Sequence, residues 1–152
     1  MDMDTRKSSL LLHAILFVVL LSGSQPAYSQ PAPCTLLTQS QVSSVVGGKV
    51  DAGSPIANTG CSWSATSPKV MVTVSMQSMK MFEGTKSSNV PNMTKTPVSG
   101  VGDEAIFTGM DKFSSLWVKK GTAVLLVRIY GLPVSDAQAK LKTLATSAVS
   151  KL

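Results

Sequence analysis

Val70-Met71-Val72-Thr73-Val74-Ser75-Met76-Gln77 is the stretch whose reading decides the fold. Val70, Val72, Val74 and Met76 fall on one side of an extended chain, and Met71, Thr73, Ser75 and Gln77 fall on the other. A period of two is the mark of a half-buried strand with one apolar face. Ser67-Pro68-Lys69, just before it, reads as a turn. Ahead of that turn, Gly60 to Ala65 reads as another strand, with Cys61 and Trp63 on the same face. The two make an antiparallel hairpin.

Toward the C-terminus, Ser78 to Lys86 reads as one or two helical turns, with Met79 and Phe82 on one side. Residues 87–99, with Pro91 and Pro97, read as a long surface loop. Asn92-Met93-Thr94 within it is a glycosylation sequon, which matters only in a eukaryotic host. Gly100-Val101-Gly102-Asp103-Glu104-Ala105 leads into a strand near Ala105 to Phe107. Thr108 to Lys112 turns, and Phe113 to Lys119 is the next strand, with Leu116 and Val118 inward and Trp117 on the other face. After Lys120-Gly121, Thr122 to Tyr130 is apolar on both faces through Val127. That marks it as the central strand. Gly131-Leu132-Pro133 ends it. Ser135, with Gln138 three positions on, has the pattern of a capping box for the last helix. Leu141, Leu144, Ala145, Ala148 and Leu152 form its apolar stripe, with Lys140, Lys142 and Lys151 largely opposite.

Toward the N-terminus, residues 49–58 read as a loop. Before it, Thr38 and Gln41 form a capping box, and Leu37 and Val42 are spaced as a hydrophobic staple. Val42, Val45 and Val46 give the short helix an apolar side, and Gly47-Gly48 ends it. The order α-β-β-α-β-β-β-α predicts an α+β fold. Its mainly antiparallel, five-stranded sheet is packed by a short N-terminal helix and a C-terminal helix.

Residues 1–29 have the pattern of a secretory signal peptide. Arg6 and Lys7 precede a run of 12 residues, Leu10 to Leu21, that is apolar except for His13. Ala27-Tyr28-Ser29 places small residues at a cleavage site before Gln30. The run is too short for a membrane span, which needs about 20 apolar residues. Ser24 follows Leu21-Ser22-Gly23 where a lipoprotein would carry a cysteine. The expectation is one exported α+β domain over residues 30–152, periplasmic or secreted, without a stable membrane anchor after cleavage.

Arg6 and Lys7 are offset by Asp2 and Asp4, so the net charge of +6 belongs to the domain. Its only arginine is Arg128. Scarce arginine and few aromatics argue against nucleic-acid binding. Cys34 and Cys61, an even pair in an oxidising compartment, read as a disulfide closing a loop of 27 residues. Such a crosslink is worth about 3–4 kcal/mol in the chain-entropy model. A redox or metal pair is the alternative, at a spacing far from Cys-x-x-Cys.

His13 is the sole histidine and lies in the leader. The domain therefore lacks Ser-His-Asp and Cys-His nucleophile systems and His-based zinc sites. Asp103 and Glu104 are adjacent, so in a strand they point to opposite faces and do not share a substrate atom. No enzyme is predicted and no cofactor. Met76, Met79 and Met81 could offer soft thioethers to Cu(I), or Met76 and Met79 could simply fill core gaps. Trp63 reads as core beside the disulfide. Trp117, with Asp103, Glu104, Lys119 and Lys120 nearby in sequence, is the candidate ligand surface.

The ordered set Cys34-Thr35-Leu36-Leu37-Thr38, Cys61-Ser62-Trp63 and Val98-Ser99-Gly100-Val101-Gly102-Asp103-Glu104-Ala105, followed by strand, turn, strand and a closing helix, resembles the domain of unknown function 3558 family. These are small exported bacterial domains, many of them lipoproteins. The resemblance covers Cys34 to Leu152 and puts Cys34 and Cys61 on the family's cysteine positions. It implies a disulfide-tied domain at the cell envelope with a sensing or adaptor role. The functional expectation is a non-enzymatic binding module for an envelope protein or small ligand. A periplasmic Cu(I)-handling protein using the methionines is the alternative.

Overall fold

A computed structural model describes residues 31–152; the signal-peptide and cleavage assignments lie outside the described residues. Seven strands form one antiparallel sheet, together with four helices. In chain order these are α1 (Pro33–Leu36), α2 (Gln39–Val46), β1 (Ser54–Ile56), β2 (Gly60–Thr66), β3 (Lys69–Gln77), α3 (Met79–Ser87), β4 (Thr94–Pro97), β5 (Glu104–Met110), β6 (Phe113–Lys120), β7 (Ala123–Tyr130) and α4 (Val134–Val149). The sheet order is β1-β2-β3-β7-β6-β5-β4. It is two meanders joined where β7 docks on β3, so β7 is the middle strand. This follows from Val124 to Val127, which supply apolar side chains to both faces.

The α+β class holds, but the sheet has seven strands rather than five. Residues 49–58 and 87–99 are not wholly loop: each contains a short edge strand. Both edges are short and largely exposed, so neither shows a buried apolar alternation. Each also carries a proline, Pro55 or Pro97, which withholds a donor from any further strand.

One face of the sheet carries the main core. Val70, Val72 and Val74 of β3 join Cys61 and Trp63 of β2, Phe107, Leu116, Val118 and the odd-numbered residues of β7, under Val42 and Val46 of α2 and Leu141, Leu144 and Ala148 of α4. The α2 capping box forms: the Gln41 amide donates to Thr38 Oγ1 (3.2 Å), and the Thr38 amide donates to Gln41 Oε1 (2.9 Å). Leu37 and Val42 are both buried, as the staple requires. The last helix starts differently from expectation. Asp136 and Ala137 amides donate to the Pro133 carbonyl, so α4 begins at Val134 and Ser135 is inside it rather than capping it. The fixed φ of proline suits a helix entry, and Pro133 sits there at −56°.

Cys34 and Cys61 are bonded, with Cα atoms 5.0 Å apart. The bond ties α1, a four-residue turn absent from the sequence reading, to β2. Gly53 lies over this staple; a Cβ there would stand 2.8 Å from Trp63 Nε1 and 3.0 Å from Cys61 Sγ. Trp63 is buried in the core.

Candidate binding face

The lysines come first, because they make up most of the positive charge. Lys120 Nζ donates to the carbonyls of Val149 (2.9 Å) and Leu152 (3.2 Å), at the C-terminal end of α4. Lys95 Nζ donates to Lys86 (2.8 Å) and to Ser88, at the end of α3. Lys140 Nζ donates to Val45 (2.7 Å) in the last turn of α2, and Lys151 Nζ donates to Thr35 (2.9 Å) in α1. Each of the four helices thus ends against an ammonium group supplied from outside that helix. Unpaired carbonyls and the negative end of the helix dipole attract such a group. Four of the lysines are therefore explained by the scaffold.

The same holds for most of the residues singled out around Gly100 to Lys120. Asp103 Oδ2 accepts from the Gly121 amide (2.6 Å) and braces the β6–β7 turn. Gly102 has φ +60°, and a Cβ there would stand 2.5 Å from the Lys119 carbonyl oxygen, so the turn demands glycine. Glu104 pairs with Lys86 of α3 at 2.7 Å. This contact, a hydrogen bond from Lys86 above all, raises the Lys86 pKa above its ordinary value of 10.5. Lys120 caps α4, as above. Trp117 is on the face opposite Leu116 and Val118, as expected, but it is 7% exposed. It packs with Phe82, Ile106, Val124 and Leu126 beneath α3. A ring so covered is not a stacking platform. Asp103, Glu104, Trp117 and Lys120 are held by separate structural contacts and do not form a common site.

The methionines are also dispersed. Met76 packs in the main core, Met79 against the small cluster on the opposite face, and Met81 is 53% exposed. The sheet separates the first two thioethers. Among the described residues no group of three or more His, Cys, Asp or Glu is placed to hold a metal ion.

What remains is the second face of the sheet, and α3 covers only half of it. The register arranges this face in rows. One row is Ser75, Leu126, Trp117, Ile106 and Pro97. It is capped by Phe82 of α3. The next is entirely polar: Ser62, Thr73, Arg128, Ser115, Thr108 and Lys95. The last is Ser64, Met71, Tyr130, Phe113 and Met110. On β7 the side chains of one face therefore run Val124, Leu126, Arg128, Tyr130. The change from Leu126 to Arg128 marks where the cover of α3 stops.

Arg128 is half-buried in the middle of the polar row. Thr73 and Ser115, its neighbours on either side, are buried. Its guanidinium carbon is 6.0 Å from the Phe113 ring centroid, and Phe113 and Tyr130 have centroids 5.0 Å apart. Its Nε is buried and has no acceptor among the described residues. The ion pairs formed among those residues are Lys86 with Glu83 and Glu104, so no carboxylate neutralises Arg128. Buried charged donors are ordinarily paired. At the end of β2, β3 and β7, Met71 (37% exposed), Tyr130, Ser64, Lys69 and Gly131 line a cleft of about 350 Å³, of which Arg128 is not a wall. The face thus carries a half-buried guanidinium among buried hydroxyls, with an aromatic and thioether row next to it. Arg128 was visible in the sequence as a lone charge inside the apolar run Val124 to Ile129.

No family model matches the chain, and no curated protein or solved structure was found similar to it.

Proposed function

We propose that the protein is an exported, non-enzymatic binding domain that holds an envelope partner or a small ligand on the open half of its sheet. One observation carries this reading. A half-buried arginine without a carboxylate partner stands on the uncovered half of a sheet whose other half is covered by α3. A purely structural sheet face would either be covered throughout or bear solvated side chains free to find water. Binding is favoured over catalysis because the rows hold donors and apolar surface, while the Glu104 carboxylate is engaged by Lys86 two rows away. Export is supported by the signal-peptide pattern of residues 1–29, by the Cys34–Cys61 bond, and by the resemblance to exported bacterial domains. No helix among the described residues is long and apolar enough to cross a membrane.

Site-specific photo-cross-linking in the producing cell tests the face. A photoreactive residue at Met71 is expected to give a discrete adduct, and one at exposed Thr143 on α4 is not. Equal labelling at both positions, or none at either, defeats the assignment. The intact mass of the recovered protein tests export: it should begin at Gln30.

A further inference from the structure

We infer that a second site, where the β4–β5 connection meets α4, takes a small phosphate monoester. The backbone amides of residues 99–102 cradle its phosphoryl group, Lys142 supplies the cation, and the cleft between the connection and α4 holds its polar body. This goes beyond the binding reading above and does not depend on it.

The amides come first. Residues 98–103 join β4 to β5 without helix or strand. At the two ends of the connection the backbone is paired: the Val98 amide donates to the Ala105 carbonyl (2.9 Å) and the Asp103 amide to the Lys119 carbonyl (2.8 Å). Between them, the amides of Ser99, Gly100, Val101 and Gly102 have no acceptor among the described residues. Val101 is buried, at 3% exposure, and backbone donors in such surroundings are ordinarily paired. Gly100 and Gly102 have φ of +77° and +60°, while Ser99 and Val101 stay out of that region. Alternation of right- and left-handed residues is the conformation that turns successive N–H groups toward one concave side, a nest for an anion.

Lys142 brings the charge. Its Nζ is 3.9 Å from the position a Cβ on Gly100 would take, so the ammonium stands beside the connection. Lys140 and Lys151, on either side of it in sequence, are spent on the ends of α2 and α1. Lys142 is exposed, and its ammonium has no hydrogen bond or ion pair among the described residues. The acids that follow the connection are engaged elsewhere: Asp103 accepts from the Gly121 amide, and Glu104 pairs with Lys86. A lysine ammonium is a point charge without a preferred plane. Joined to a cradle of amides it suits the several oxygens of a phosphoryl group, whereas a planar carboxylate is best matched by the fork of an arginine.

The cleft selects the rest of the ligand. It measures about 440 Å³, at the small end of ligand sites, which span roughly 300–1,000 Å³. Ser99, Ser135, Gln138 and Lys142 supply its polar walls, and none of its walls is an aromatic ring. Ser135 Oγ donates to Asp136 Oδ1 (3.1 Å), which leaves its lone pairs free to accept from a ligand hydroxyl. The Gln138 amide both donates and accepts. Such walls suit the hydroxyls of a polyol or sugar rather than an apolar body.

The test reads the backbone amides of residues 99–102 in a ¹⁵N spectrum, in buffer free of phosphate. Glycerol 3-phosphate is titrated into the protein, with inorganic phosphate, glycerol, acetate and sodium chloride at matched ionic strength alongside. The ester should shift these amides and the Lys142 side chain saturably. Inorganic phosphate should shift the same signals with lower affinity, and glycerol, acetate and sodium chloride should leave them in place. Lys142→Gln should weaken ester binding roughly tenfold or more, the usual cost of losing a charged hydrogen bond. Lys142→Arg, which keeps the charge, should weaken it less. Unchanged core methyl signals show that each variant folds. Amides that do not respond to the ester, an equal response to sodium chloride or acetate, or unchanged affinity in Lys142→Gln would overturn the site. Inorganic phosphate binding as tightly as the ester would overturn the part given to the cleft.

Discussion

The guanidinium of Arg128 sits 6.0 Å from the centroid of the Phe113 ring, and no carboxylate among the described residues forms an ion pair with it. A cation over an aromatic face gains about 0.5–1 kcal/mol at a partly exposed site. Leaving a buried donor without an acceptor costs about 1–3 kcal/mol. The second term wins. Arg128→Met should therefore stabilise the unliganded protein by about 1 kcal/mol, seen as a higher urea midpoint at unchanged slope. Function maintained at the expense of stability is the pattern of a binding site. A lower midpoint in Arg128→Met would mean that the arginine braces the sheet instead.

The Cys34–Cys61 bond closes 27 residues that include α2 and β1. Replacing both cysteines by alanine should cost about 3–4 kcal/mol in the chain-entropy model. Gly53 approaches Cys61 Sγ so closely that the smaller alanine also leaves a gap beneath it. Chemical denaturation of the double variant provides the measurement. An unchanged unfolding free energy would show that the helix-1 entry is held by packing alone.

Lys120 links the end of β6 to the end of α4 through Val149 and Leu152. Lys120→Met keeps the aliphatic stem and removes the ammonium. Since the contact is only part-buried, the loss should be about 1 kcal/mol, a fall in Tm of roughly 4 °C. Lys142 is exposed and makes no such contact among the described residues, so Lys142→Met should leave the Tm in place. If the two variants melt alike, the ammonium caps add nothing.

Lys86 and Glu104 give a pH test with a definite sign. The Glu104 hydrogen bond raises the Lys86 pKa above 10.5, so the pair favours the folded state. That contribution is complete below 10.5 and disappears as pH rises through the raised value. Glu104→Gln should bring the Lys86 pKa back toward 10.5, measured from the side-chain ¹⁵N shift of Lys86. It should also erase the part of the alkaline stability loss that belongs to this pair. A Lys86 titration unaffected by Glu104→Gln would show that the pair does not persist in solution.

The elements legible in the sequence were those with an apolar period. The alternation from Val70 to Gln77 and the run Val124 to Val127 placed the two strands that meet at the centre. The edge strands were not legible, because Thr94, Lys95 and Thr96, like Ser54 and Pro55, bury no apolar side chain. Ser135-x-x-Gln138 reads as a cap, yet α4 begins two residues earlier than that cap would start it, on the Pro133 carbonyl. Met76 and Met79 looked adjacent because the sequence does not show that the chain crosses the sheet edge at Ser78 and sends them to opposite faces. Arg128 was legible as an anomaly only. Its meaning depends on how far α3 reaches over the sheet, and no local pattern encodes that reach.

That reach is set by a small number of contacts, so α3 is held lightly. It buries one side chain completely, Phe82, with Met79 partly buried beside it. Ser78 caps its start, accepting from the Met81 amide at 3.3 Å, and Lys95 holds its other end through the carbonyls of Lys86 and Ser88. A short helix with one anchor is marginal without such support. Lys95→Ala should therefore raise hydrogen exchange across Met79–Ser87 while the amides of α4 keep their protection. Trp117 lies under Phe82, so its emission should shift to the red in the same variant. Slow exchange in α3 together with an unshifted Trp117 would place the hold on this helix in Phe82 rather than in Lys95.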